Sequence, residues 1–168
     1  MAVRVVGPLQ WIVWPSLIAI AATVVLATPV KLFGLTLPEP ILPMVLAFSW
    51  PLIRPSVLAP AVLLGLGLLL DIFWAGPLGM WGLALSAVYG VVLLSRSFLL
   101  GQETSVLFVW YTACTLMAFI LAYIIVTIGS PTAPSVLATI AQIVPTLLVF
   151  PLAHIMIERF DDGDVRFR

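Results

Sequence analysis

Few residues in this chain are equipped for acid–base, nucleophilic or metal chemistry. Only 8% are charged, against roughly 25% in an ordinary soluble domain. Asp71 is the acidic residue set inside an apolar run, Leu66-Gly67-Leu68-Leu69-Leu70-Asp71-Ile72-Phe73-Trp74. An ionised carboxylate in a hydrocarbon medium costs about 2.5–3.5 kcal/mol at the centre of a span, so this one must meet donors or water. Three roles suit it: a buried structural hydrogen bond or turn cap, a contact to a partner or ligand, or proton coupling. Glu39 is expected on the same side, and two neighbouring carboxylates can share acid–base work. No third group supports that chemistry, so catalysis is not expected. His154 stands one turn before Glu158, the spacing of an i,i+4 pair on a helix face. A lone histidine is no metal site. Cys114 is the one cysteine of the chain. It has no partner for an intrachain disulfide or a zinc cluster and reads as inert packing.

The sequence carries no phosphate-binding loop, dinucleotide fingerprint, nucleophile elbow or histidine-rich metal motif. The expectation is therefore a protein that is not an enzyme and has no cofactor and no metal. Net charge is zero, which gives no bulk attraction to nucleic acid.

These residues sit in a chain of 168 residues that is 63% hydrophobic, with a mean hydropathy of +1.26. A small soluble fold exposes too much surface to hide that many apolar side chains. The expected fold class is an all-α integral membrane protein, one membrane domain over 1–168, with about six transmembrane helices. A bilayer core of about 30 Å takes about 20 helical residues, and six windows fit: 9–30, 38–53, 57–74, 78–95, 105–128 and 134–157. Helices are required because a span must satisfy its own backbone, and no segment alternates like a barrel strand. The run from Leu9 to Val30 is longer than the apolar core of a signal peptide, which favours an uncleaved first helix.

Prolines and polar residues mark the breaks: Thr28-Pro29, Pro38-Glu39-Pro40, Ile53-Arg54-Pro55, Gly76-Pro77, Arg96 to Thr104, and Gly129-Ser130-Pro131-Thr132. The second window, interrupted by Pro43 and Pro51, reads as a short, kinked or re-entrant element. Six spans place both termini on one side with Arg4, Arg54, Arg96, Arg159, Arg166 and Arg168, and leave Lys31 opposite. The positive-inside rule makes the arginine side cytoplasmic. The tail from Glu158 mixes both signs and reads as a solvated end or a docking tail.

Small residues form a stripe on the fourth window. Gly79, Gly82, Ser86 and Gly90 share one helix face, which lets another backbone approach closely, from this chain or from a partner's helix. Thr115, Ala118 and Ala122 make a weaker stripe on the fifth. Gly67 stands four residues before Asp71 on one face, leaving room for a neighbour's donor. Trp11, Trp14, Trp50, Trp74 and Trp81 fall toward span ends, the place of interfacial anchors.

The stretch from Leu63 to Gly79, and Asp71 and Pro77-Leu78-Gly79 within it, resembles MreD, the rod shape-determining membrane protein family of bacteria. Pro38-Glu39 is similar to the opening of that family's second span, and Arg96 stands where the family often has a basic residue. Val62-Leu63-Leu64 departs from the aromatic residue the family often carries there. The resemblance implies a bundle like the S component of energy-coupling-factor vitamin transporters, in the bacterial cytoplasmic (inner) membrane. It further implies a non-enzymatic scaffold of the elongasome that pairs with MreC and helps couple the MreB cytoskeleton to RodA and its transpeptidase in peptidoglycan synthesis. Asp71, Gly67, Pro77, Gly79, Gly82, Ser86, Gly90 and Arg96 are the residues expected to serve the fold or the partner contact. The alternative is an S component itself, with Asp71, Glu39, Trp74 and Trp81 around a ligand. Against it, those subunits commonly carry Ala-x-x-x-Ala in the first helix, where this chain has Ala19-x-x-x-Thr23 and Thr23-x-x-x-Ala27.

Overall fold

The computed structural model describes residues 4–6, 9–26, 31–32, 35–36, 38–129, 135–161 and 165–167. The regular structure among the described residues is helical apart from two short ladders. A wide turn at Leu9–Val13 leads into α1, Trp14–Leu26. There follow α2, Pro43–Ile53, α3, Leu58–Phe73, and α4, Met80–Leu94. Next come the single turn α5, Arg96–Leu99, then α6, Thr104–Gly129, α7, Val136–Leu148, and α8, Phe150–Asp161. Strand β1, Arg4–Val6, pairs in parallel with β4, Val165–Phe167, so the two ends of the chain meet. The antiparallel pair β2, Lys31–Leu32, and β3, Leu35–Thr36, lies between α1 and α2. The expected boundaries Thr28-Pro29 and Ser130-Pro131-Thr132 lie outside the described residues, as do the side chains of Arg4, Lys31, Arg166 and Arg168.

Two elements are long and apolar enough to cross a membrane: α6, with 26 residues, and the α7–α8 rod from Val136 to Phe160, with 25. At 1.5 Å per residue each is more than about 35 Å long. Only 28% and 17% of their most apolar windows are buried inside the bundle. α7 and α8 meet at Val149, two residues ahead of Pro151, which has no amide to give the carbonyl one turn back.

The second window is shorter than its sequence suggests. α2 has 11 residues, about 16 Å of helix, and begins at Pro43 rather than residue 38. Proline suits a first helical position, where no amide is needed. Each residue from Pro43 to Leu52 is buried. Such a helix, apolar on every side, belongs at the centre of a bundle, and α1, α3, α4, α6 and α8 all pack against it.

The non-helical approach to α2 is held by α7. Ile41 N–H donates to Thr146 Oγ1 at 3.1 Å, and the Gln142 amide donates to the Glu39 carbonyl at 3.3 Å. Tyr111 Oη donates to the Thr146 carbonyl at 3.1 Å. Irregular backbone is tolerated away from water only where protein groups satisfy it. Thr146→Val keeps the shape and removes the acceptor from a fully buried position. It is expected to cost about 1–2 kcal/mol, read as a lower unfolding midpoint in detergent. Thr127→Val, at an exposed site where the hydroxyl only returns to its own helix, should leave the midpoint unchanged.

Three tryptophans correct the expectation of interfacial anchoring. Trp11, Trp50 and Trp81 are all buried. Trp50 Nε1 donates to the Trp11 carbonyl at 3.0 Å. Trp81 packs edge-on against Trp74 and Phe119, with centroids 6.0 and 5.4 Å away. Each indole thus gains an apolar seat and, for Trp50, a partner for its N–H, which the bundle interior supplies as well as an interface does.

Candidate functional site: the clasp between α3 and α4

Asp71 lies in the last turn of α3 and is 1% exposed. Its carboxylate reaches the start of α4. Gly79 N–H donates to Oδ2 at 2.7 Å and Trp81 N–H to Oδ1 at 3.1 Å. These amides belong to the first turn of a helix, which has no intrahelical acceptor for them. Gly79, the residue that opens α4, offers no capping side chain and has φ +91, a left-handed conformation that suits glycine. The cap therefore comes from the neighbouring helix, with an acidic side chain at the positive end of the α4 dipole. The carbonyl of Asp71 also accepts from Gly76 N–H at 2.9 Å. One residue thus fastens both sides of the turn between the helices.

Gly67, one helical turn before Asp71, permits the approach that this needs. A Cβ there would overlap the backbone N and Cα of Gly82. The facing position is tight but less so: a Cβ on Gly82 would stand 3.2 Å from the Leu64 carbonyl. Ser86 spends its hydroxyl on the Gly82 carbonyl at 2.8 Å, within its own helix. Gly67, Asp71, Gly79 and Gly82 accordingly form one clasp, with Pro77 half-buried in the turn. The stripe expected on α4 divides: Gly82 lies against α3, whereas a Cβ on Gly79 or Gly90 would meet nothing within 4 Å. The stripe Thr115, Ala118 and Ala122 is buried on α6, the helix that packs against α4.

Glu39 reaches the same end of α3 by another route, where its Oε2 accepts from Trp74 Nε1 at 3.0 Å. Of the four residues expected around a ligand, Asp71 and Trp81 are buried in packed, hydrogen-bonded positions. Arg96 is far along the bundle, at the other end of α4. It lines a cavity of about 400 Å³ together with Glu103, Thr104, His154 and Glu158, and its Nε is buried with no hydrogen-bond partner. The expected His154–Glu158 pair is present at 3.4 Å, and Thr104 Oγ1 lies 2.7 Å from His154 Nε2. Among the described residues, no three His, Cys, Asp or Glu side chains group to hold a metal.

Sequence reasoning missed Gln142, Thr146 and the Tyr89–Ser56 pair. Tyr89 Oη donates to the Ser56 carbonyl at 2.8 Å and accepts from Ser56 N–H at 3.0 Å, tying α4 to the α2–α3 connection. The available signal was the placement of single polar residues in apolar helices, each opposite a proline-broken segment.

Compared with family models, with curated proteins and with solved structures, the chain finds no match.

Proposed function

We propose that this chain is a multi-pass protein of the bacterial cytoplasmic membrane, crossing six times with both termini in the cytoplasm. In this reading it is a non-enzymatic scaffold of the MreD kind, which binds MreC and helps couple MreB to RodA and its transpeptidase. The membrane placement is supported by a surface that carries large apolar side chains on α1, α3, α4, α6, α7 and α8, among them Ile18, Ile72, Leu83, Ile128 and Ile155, each more than half exposed. Contiguous apolar surface on that scale belongs against lipid rather than water. The pairing of β1 with β4 supports termini on one side.

One observation carries the scaffold reading. The stretch 63–79 that resembles the family contains Gly67, Asp71 and Gly79, and these residues fasten α3 to α4. A motif whose polar member is engaged in holding two helices together fits a rigid platform for partners better than a reactive centre.

Depletion of the protein in rod-shaped bacterial cells that encode it is the test. Cells are expected to become round, and MreC is expected to co-purify with the tagged chain. Cells that keep their rod shape would sink the proposal. The S-component alternative predicts instead that a vitamin added to the purified protein raises its unfolding temperature.

A further inference from the structure

A further cavity lies away from the clasp. It is an open groove of about 590 Å³ between α1 and α8, floored by Leu42, Val45 and Leu46 at the start of α2. Its walls are apolar, and its rims, Ile18 on α1 and Ile155 on α8, are exposed. Its one charged lining residue is Arg159, at the end where α8 finishes. Glu158 belongs to the other side of α8, beside His154, and no carboxylate among the described side chains pairs with Arg159.

We propose that this groove holds one anionic phospholipid, with an acyl chain against α2 and the phosphate on Arg159. The inference rests on the membrane placement proposed above, and three observations select the occupant. First, the groove is short. From Leu152 to Arg159 on α8 and from Trp14 to Ala22 on α1 it extends about 10–12 Å at 1.5 Å per residue. That fits within one leaflet, half of a core about 30 Å thick, whereas a spanning partner helix would run far past it. Second, the groove has one cationic mouth and apolar walls, the order of groups in a lipid seen from headgroup to tail. Third, the cation lies at the end of the bundle where α2 finishes at Arg54 and α4 just ahead of Arg96, and basic sites between helices on the cytoplasmic side select anionic headgroups.

The test is native mass spectrometry of the full chain, released from micelles that contain phosphatidylglycerol and phosphatidylcholine in equal amounts. One phosphatidylglycerol per chain is the expected result, retained in preference to phosphatidylcholine. Arg159→Gln should reduce the preference about fivefold, the effect of one basic residue near an anionic surface, and Arg159→Lys should keep most of it. Ala22→Trp should remove retention of both lipids by filling the groove. Should that variant not fold, a benzophenone-bearing residue at position 155 reads the same surface: a lipid adduct is expected, and an adduct to another protein helix or to a second copy overturns the proposal. Equal retention of the two lipids, or an undiminished preference in Arg159→Gln, also overturns it. A chain that stays dispersed without detergent would instead refute the membrane placement, a separate outcome.

Discussion

Asp71→Ala is expected to lower the stability of the folded chain by about 2–4 kcal/mol, because it leaves two amides of the α4 first turn without an acceptor in a buried place. The measurement is the unfolding midpoint of the full chain in detergent. Removing one side of a buried polar contact costs more than the contact's net contribution, since the orphaned N–H groups cannot turn to water. Here the orphans are Gly79 N–H and Trp81 N–H, and the loss also removes an acidic group from the positive end of the α4 dipole. Asp71→Asn separates the two effects. Its carbonyl can still accept from one amide, but its NH2 group faces the other as donor against donor. It should therefore fall between wild type and alanine. Glu39→Gln keeps an acceptor for the Trp74 indole and should change the midpoint little. If Asp71→Ala matched wild type, the carboxylate would not be what closes the hairpin, and a role toward a partner or a proton would regain its place.

The clasp was half legible in the sequence. A carboxylate inside an apolar run must be satisfied, and Gly67 one turn away signalled that a neighbour comes close. Which neighbour was not legible: the pairing of Gly67 with Gly82 depends on how α3 and α4 cross, and a one-dimensional stripe does not fix a crossing. The stripe itself misled at Gly90, where spacing alone gave a face that the crossing leaves behind. Trp11, Trp50 and Trp81 expose the same limit in hydropathy. It measures the preference of a side chain for apolar surroundings and does not separate lipid from protein interior, so indoles near span ends look alike whether they point out or in. α2 was misjudged in length for a related reason. Pro38 to Leu42 are apolar enough to extend the window, but their backbone is satisfied by Gln142 and Thr146 about 100 residues later in the chain. No local pattern announces a contact of that range.

The sharpest contrast the fold offers lies within two residues of one helix. Gly67→Ala is expected to destabilise the chain by at least about 3 kcal/mol, at or beyond the upper end of ordinary overpacking. The new methyl would meet the backbone N and Cα of Gly82 rather than the mobile end of a side chain. Main chain inside a helix cannot swing aside, so relief requires α3 and α4 to move apart. That separation would also stretch the two hydrogen bonds from α4 to Asp71, since the same two helices carry both contacts. Gly65→Ala is the control. Its Cβ would meet nothing within 4 Å, so alanine there should leave stability unchanged or raise it by up to about 1 kcal/mol through its better helix propensity. The double variant Gly67→Ala with Asp71→Ala then tests the clasp as a unit. Residues that act through one shared contact fail to add, so its loss should fall short of the sum of the two single losses. Full additivity in the unfolding midpoints would mean that glycine and carboxylate stabilise separate parts of the bundle. The hairpin would then be held by packing along its whole length rather than at this point.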